Sequence, residues 1–249
     1  MSAMTSQIPT DAGDLPGLLW LPENLEQPVP GLVVLQEIFG LSAYVQQRCA
    51  DLAALGYAVL APQLFARLDP PVVGLEDGEN AEAWLAEGMD LTQQLPWDRA
   101  VADSLAALNA LRAQGAVDSE RVGLLGFCYG GGLAFATTAA AALEERAPSV
   151  LVSYYGSALP TLLDLAEHVT VPSLHHFGTA DAFIPPATVE QIREAVTAGG
   201  TRDQVRFALH EGGGHAFDNP HPSLYHAPSA EAAWQQTRDV LAETLPTRS

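Results

Sequence analysis

The chain has 249 residues and a formal net charge of −19, and all 11 of its basic residues are arginine. This acidic composition disfavours nucleic acid or an anionic membrane as a partner, because both bind clustered basic side chains. The lack of lysine excludes Schiff-base catalysis and the Gly-Lys-Ser/Thr phosphate loop.

The N-terminal region shows no targeting signal. Residues 1–17 have no basic flank followed by an apolar core, and no later segment stays apolar for long enough to span a bilayer. We therefore expect a cytoplasmic protein with residues 1–14 as a loosely ordered N-terminus. The length and even composition favour a single domain over residues 1–249, and a monomer is expected.

Short apolar runs, most of them β-rich and too short for helices, are predicted as strands. They cover residues 17–21, 31–36, 57–61, 121–127, 149–156, 171–178 and 204–210. Residues 68–80, rich in proline, glycine and acidic residues, are predicted as a loop that leads into a helix over 81–95. Apolar residues at helical spacing over 101–111 predict another helix, which we expect Asp98 to cap. Strands alternating with helices predict a mainly parallel central sheet with helices on both faces and a ligand at the carboxyl ends of its strands.

Cys128 lies where a predicted buried strand ends and a helix of small residues begins. The sequence GFCYG, residues 126–130, has the pattern of a nucleophile elbow with cysteine in place of serine. Such a strained turn leaves no room for side chains near the nucleophile, which explains the flanking glycines. The alternative is a buried cysteine at an ordinary strand–helix junction. The other cysteine, Cys49, falls on a predicted helix and is interpreted as a buried structural residue.

Two further residues follow Cys128 at the ends of later strands. Asp181 comes just after the strand at 171–178, and His215 just after the strand at 204–210. The order nucleophile, acid, histidine is that of α/β-hydrolase triads, and all three would lie at one edge of the sheet. In this interpretation His215 is general base to the thiol and then general acid to the leaving group, while Asp181 holds the imidazole tautomer.

Each of these residues also has a purely structural interpretation. Asp181 would cap the helix predicted over 185–196, and His215 would be only a turn residue among glycines. Three other histidines are interpreted as core or capping residues: His175, His176 and His210. No HxxxH or CxxC spacing occurs, so neither a metal nor another cofactor is expected.

The segment LQEIFGLSAYV, residues 35–45, leaves the first long buried strand. In an elbow site a backbone N–H from this segment joins the one after the nucleophile to form the oxyanion hole, and we assign these donors to Ile38 and Tyr129. Glu37 lies beside them. A carboxylate near Cys128 would oppose thiolate formation, whereas the following helix N-terminus would favour it. The alternative for Glu37 is an exposed loop residue.

Together, the segments QEIFGL, GFCYGG, GTADAFIP and EGGGHAF resemble the dienelactone hydrolase family of α/β-hydrolases, also called carboxymethylenebutenolidases. The resemblance runs from about residue 15 to residue 245 and implies the α/β-hydrolase fold. It implies that the cysteine, aspartate and histidine named above form the triad, with the same two oxyanion donors. It further implies that Glu37 interacts with the resting cysteine and is displaced when substrate binds. The implied reaction is acyl transfer from an ester or enol-lactone to cysteine, followed by hydrolysis of the thioester.

The resemblance has one departure, which concerns the substrate's carboxylate. The dienelactone-cleaving members bind it with two arginines, one in the helical region before the elbow strand and one four residues after the histidine. Here Asn219 occupies the second position, and no basic residue lies between Arg67 and Arg99. Because a buried carboxylate without a cationic partner is costly, we expect a neutral or weakly anionic substrate, with Asn219 in its binding site.

These observations predict a cysteine-dependent hydrolase of small carboxyl esters or (enol-)lactones, with a small molecule as its partner. The alternative is a non-catalytic module that senses oxidants or electrophiles through Cys128. The presence of both Asp181 and His215 argues against the sensor, because a sensor needs neither residue.

Overall fold

The computed structural model describes residues 2–23, 25–75, 78 and 80–247. Its strands are β1 Met4–Ile8, β2 Leu15–Trp20, β3 Val29–Leu35, β4 Ala58–Pro62, β5 Val117–Phe127, β6 Leu151–Tyr154, β7 Ser173–Gly178 and β8 Val205–His210. Its α-helices are α1 Ala43–Ala54, α2 Ala81–Gln94, α3 Trp97–Arg112, α4 Tyr129–Leu143, α5 Pro186–Val196 and α6 Ala227–Thr244, and short 3-10 helices cover Leu64–Arg67, Leu159–Thr161 and Leu163–His168. Within these described ranges no helix is both long and apolar enough to cross a membrane.

The strands form one sheet in the order β1-β2-β4-β3-β5-β6-β7-β8. The pairs β3/β4, β5/β6, β6/β7 and β7/β8 are parallel, whereas β1/β2 and β2/β4 are antiparallel. Every run predicted as a strand from the sequence is a strand in the fold. The prediction of a mainly parallel sheet with packed helices is therefore confirmed.

The contacts within the chain divide it into two compact units. One comprises the chain up to Gly123 together with Thr247, and the other runs from Leu124 to Pro246. The assignment of residues 1–249 to a single domain stays a prediction.

In the first unit, the N-terminus differs from the loosely ordered segment expected over residues 1–14. Of that segment, residue 1 lies outside the described residues, and Met4–Ile8 form strand β1, antiparallel to β2. The segment MTSQI contains no apolar run, and Ile8 is its one buried residue. This strand is therefore held by its backbone hydrogen bonds to β2, and a hydropathy pattern does not reveal such bonds.

Two helices of the first unit follow the prediction closely. Helix α2, Ala81–Gln94, occupies the range predicted at 81–95, while residues 76, 77 and 79 of the preceding loop lie outside the described residues. Helix α3 begins at Trp97 with Pro96 at its N-cap, so the expected capping role of Asp98 is corrected. Asp98 lies in the first turn instead, where a carboxylate interacts favourably with the helix dipole.

In the second unit, a tight turn joins β5 to α4. Cys128 lies between the two elements with φ 54° and ψ −114°, in the left-handed half of backbone space that non-glycine residues rarely adopt. A Cβ added at Gly126 would lie 1.9 Å from the carbonyl oxygen of Gly130. The glycine is required because strand and helix backbones approach each other too closely for any side chain.

We therefore expect Gly126→Ala to disrupt this turn. The atoms in its way belong to the backbone and cannot rotate aside, so the free energy of unfolding should fall by about 3 kcal/mol or more, or the protein should fail to fold. Gly115→Ala is the matched control, because no atom lies within 4 Å of a Cβ built there. Urea unfolding and soluble yield measure both effects. Wild-type stability in Gly126→Ala would contradict the close approach.

The histidines interpreted as core residues are fully buried in the second unit. His176 Nδ1 lies 2.9 Å from His210 Nε2, and His176 Nε2 lies 3.1 Å from Thr237 Oγ1. Burial lowers the pKa of His175 and of His210 to about 4 each, and it lowers that of His176 well below its ordinary value. In the part of the chain that the structure describes, no group of three or more His, Cys, Asp or Glu side chains could hold a metal ion.

We expect acid to destabilise the fold through these neutral histidines. The pKa of His175 is about 4 in the folded protein and 6.5 ordinarily. Below pH 6.5 the unfolded chain therefore binds more protons, and the free energy of unfolding falls as the pH falls from about 6.5 towards 4. His175 alone should cost about 2 kcal/mol between pH 7.5 and pH 5.

His175→Gln removes this titration and keeps a polar group near Ser173. Urea unfolding at both pH values should show a smaller loss of stability in this variant than in the wild type. His168→Gln is the matched control, because it makes the same substitution at a side chain that is 36% exposed. An equal acid response in His175→Gln and the wild type would refute the assignment.

Candidate active site

Three side chains of the second unit form a hydrogen-bonded line at the carboxyl ends of the strands. His215 Nε2 lies 3.1 Å from Cys128 Sγ, and His215 Nδ1 donates to Asp181 Oδ2 at 2.8 Å. Cys128 follows β5, Asp181 follows β7 and His215 follows β8. The residues that the sequence proposed as nucleophile, acid and histidine are thus brought together in the order that a triad requires.

The carboxylate of Asp181 is held on both of its oxygens. Oδ1 accepts hydrogen bonds from the backbone N–H groups of Phe183 and Ile184 at 2.8 and 2.9 Å, which leaves Oδ2 for the imidazole. Helix α5 begins at Pro186 without a side-chain cap, so Asp181 is not its capping residue. The interpretation of Asp181 as the cap of this helix is therefore wrong.

The electrostatics around His215 favour its charged form. Burial by itself lowers the pKa of His215, but negative charge at Cys128 and the hydrogen bonds to Asp181 and Cys128 outweigh burial and raise the pKa to about 10. A protonated imidazole between a sulfur and a carboxylate can stabilise negative charge on the sulfur and can give up a proton on the sulfur side.

Two aromatic rings that the sequence analysis did not single out contact the imidazole of His215. The ring centroid of Tyr155 lies 5.4 Å away and that of Phe183 lies 5.1 Å away. Tyr155 is fully buried, whereas Phe183 is 66% exposed. Phe183 thus presents an apolar surface beside the histidine. The contact of either ring with His215 could not be predicted from the sequence, because hydropathy patterns do not show which side chains meet beyond the ends of strands.

The segment after β3 lies in the first unit and is tightly packed there. A Cβ at Gly40 would lie 2.6 Å from the carbonyl oxygen of Val73, and the ring of Phe39 stacks on Trp84 at 3.6 Å. Glu37 is only 1% exposed and Ile38 only 7%. The interpretation of Glu37 as an exposed loop residue is therefore wrong: this carboxylate is buried.

The other oxyanion donor assigned from the sequence, Tyr129, is the first residue of α4. Its backbone N–H therefore belongs to a helix N-terminus, where partial positive charge accumulates. Burial raises the pKa of the Tyr129 phenol to about 12, so this side chain stays neutral. The contribution expected of Tyr129 is thus that of its backbone and not of its phenol.

Asn219 and Arg67, the two residues that bear on the charge of the substrate, both form hydrogen bonds with other groups of the protein. The side-chain oxygen of Asn219 accepts a hydrogen bond from the backbone N–H of His221 at 2.9 Å, and Asn219 is buried. Arg67 binds the carboxylate of Asp103 with its Nε at 2.9 Å and its terminal nitrogen at 3.0 Å. Arg67 is thus already paired with an acidic side chain.

Comparison with known proteins agrees with the fold. The dienelactone hydrolase family matches residues 15–245. Carboxymethylenebutenolidase of Pseudomonas putida is 33% identical over 216 residues, which cover 86% of each chain.

Solved structures of other proteins show the same fold. A protein of Klebsiella pneumoniae subsp. pneumoniae, provisionally named a dienelactone hydrolase, superposes with a TM-score of 0.81 at 27% identity, over 97% of this chain and 98% of that one. A dienelactone hydrolase-like promiscuous phosphotriesterase from metagenomic libraries has the same fold, with a TM-score of 0.80 at 23% identity over 98% of both chains. The chain belongs to the dienelactone hydrolase family, a hydrolase family of the α/β-hydrolase fold.

Proposed function

We propose that this protein hydrolyses small carboxyl esters or lactones through a thioester formed on Cys128. The observation that carries the proposal is the hydrogen-bonded line from Cys128 Sγ through His215 to Asp181, at the carboxyl ends of the parallel strands β5, β7 and β8. A sulfur in contact with an imidazole whose other nitrogen is held by a carboxylate is the arrangement that activates a cysteine nucleophile.

The reaction has two stages. In the first, the sulfur of Cys128 attacks the acyl carbon, the bond to the leaving oxygen breaks, and protonated His215 gives its Nε2 proton to that oxygen. In the second, neutral His215 takes a proton from water, the resulting hydroxide attacks the thioester, and the carboxylic acid leaves as the sulfur is restored. Asp181 supports the imidazolium in both stages without transferring a proton itself.

Negative charge develops on the acyl oxygen in each stage, and backbone N–H groups would stabilise it. We assign this role to Tyr129, which begins helix α4, and, by sequence resemblance, to Ile38. The family resemblance likewise supports a role for Glu37 as the group that restrains the cysteine until substrate binds. The buried position of this carboxylate is consistent with a specific role. From the sequence we also retain the expectations of a monomer and of a cytoplasmic location.

We propose further that the substrate is neutral or weakly anionic. Asn219 stands where the dienelactone-cleaving members are expected to have an arginine, and Arg67 is bound to Asp103. Phe183 adds an apolar surface beside His215. An uncharged acyl or aryl group fits these surroundings better than a carboxylate does.

Replacement of Cys128 tests the nucleophile. Cys128→Ala should abolish turnover of a neutral aryl acetate and the acyl adduct seen in the intact mass, because no other group can form the thioester. Cys49→Ala is the matched control: Cys49 is buried in α1, and the variant should keep both signals. Turnover that survives in Cys128→Ala would refute the mechanism. Reversible oxidation of Cys128 by dilute peroxide, with no turnover of any ester by the wild type, would favour the sensor instead.

Substrate charge gives a second test, which leaves the mechanism intact. The value of kcat/KM for a neutral aryl acetate should exceed that for an anionic enol-lactone by about tenfold or more, since a buried carboxylate without a cationic partner is costly. The difference should persist at high salt, where long-range repulsion by the acidic surface is screened. Faster use of the anionic lactone by the wild type would refute the proposed substrate class.

A further inference from the structure

Two loops carry the acid and the histidine of the candidate site. The acid loop, residues 179–184, follows β7, and the histidine loop, residues 211–217, follows β8. The two strands pair in parallel register up to Gly178 and His210. The loops therefore start side by side, and the distance from Asp181 to His215 depends on how they are joined beyond the sheet.

Thr179, the first residue of the acid loop, bonds both to the end of β8 and to the histidine loop. Its backbone N–H donates to the carbonyl oxygen of His210 at 3.0 Å. Its hydroxyl oxygen accepts from the backbone N–H of Gly212 at 2.9 Å and donates to Glu211 Oε2 at 3.2 Å. One side chain thus binds two successive residues of the histidine loop. The next residue of the acid loop, Ala180, donates its backbone N–H to the carbonyl oxygen of Gly213 at 2.9 Å.

The histidine loop has little of its own to fix its shape. It forms neither helix nor strand, it contains Gly212, Gly213 and Gly214, and it has positive φ values of 74° at Gly212 and 58° at Ala216. Glycines allow many backbone conformations, so bonds from outside the loop must select one of them. The hydroxyl of Thr179 binds at Gly212, the first glycine of the loop.

The backbone at the end of β7 also approaches the histidine loop closely. A Cβ at Gly178 would lie 2.1 Å from the carbonyl oxygen of Gly213, so only glycine permits this approach.

We propose that Thr179 is a positioning residue whose hydroxyl holds the histidine loop against the acid loop and so keeps His215 Nδ1 within hydrogen-bonding distance of Asp181 Oδ2. The proposal rests on the proposed function for its catalytic consequence. Its geometric consequence, the state of the Asp181–His215 hydrogen bond, can be measured without any turnover.

Loss of the hydroxyl should change the titration of His215. The titratable groups that face the imidazole are Cys128, Asp181 and the ring of Tyr155, and the hydrogen bond to Asp181 helps to raise the pKa of His215. A longer bond to Asp181 stabilises the imidazolium less, so the pKa should fall. The alkaline limb of kcat should then move to lower pH, because neutral His215 cannot protonate the leaving oxygen.

Thr179→Val removes the hydroxyl and keeps the shape, whereas Thr179→Ser keeps the hydroxyl. We expect the NMR titration midpoint of His215 to fall by about one pH unit in Thr179→Val, and kcat for a neutral aryl acetate to fall about tenfold with little change in KM. Thr179→Ser should restore kcat to within about twofold of the wild type and should return the titration midpoint of His215 to its wild-type value. Thr201→Val is the control, because Thr201 is exposed and bonds only within its own turn at Ala198.

Two results would overturn the proposal. One is a wild-type midpoint of His215 in Thr179→Val, and the other is a Thr179→Ser variant as impaired as Thr179→Val. Thermal melting shows whether each variant is folded at the assay temperature. If the wild type lacks Cys128-dependent turnover, the proposed function fails, but the titration of His215 still decides the role of Thr179.

Discussion

The backbone of Cys128 is the constraint on which the candidate site depends. Its φ of 54° and ψ of −114° place a non-glycine residue in a conformation that costs about 1–3 kcal/mol. The segment at the end of β6 binds both backbone groups of Cys128: Cys128 N–H donates to the carbonyl oxygen of Tyr154 at 3.0 Å, and Ser157 N–H donates to that of Cys128 at 3.1 Å. The local sequence permits the turn through its glycines, but the end of β6 stabilises it.

Strand β6 therefore matters to the site although it carries none of the three reacting groups. Its last residue, Tyr154, accepts from Cys128, and the next residue, Tyr155, packs its ring 5.4 Å from that of His215. The backbone N–H of Tyr155 donates to the carbonyl oxygen of His176 in β7 at 2.7 Å. A single strand end thus links the turn that presents the sulfur to the strand that leads to Asp181.

Much of this arrangement could be read from the sequence, because buried parallel strands are continuous apolar runs and glycines mark the turns. The strands that lead to Cys128, Asp181 and His215 were all predicted, and so was their order. Strand β1 was not, because MTSQI is stabilised by backbone bonds and buries only Ile8. The burial of Glu37 and the contacts of Thr179 could not be predicted from the sequence either. They depend on which loops meet in space, and neither periodicity nor propensity encodes that.

The proposed preference for a neutral substrate involves an ion pair that belongs to the fold of the first unit. The carboxylate of Asp103 is fully buried, and Arg67 supplies two hydrogen bonds to it while also binding Thr10. If Arg67 turned away from Asp103 to bind a substrate carboxylate, this buried side chain would lose the two hydrogen bonds that Arg67 donates and would be left with the longer contact to Arg99 Nη1 at 3.6 Å, at a cost in stability. Binding of an anionic substrate would first have to offset that cost. A neutral ester would leave the ion pair intact, which agrees with the substrate class proposed above.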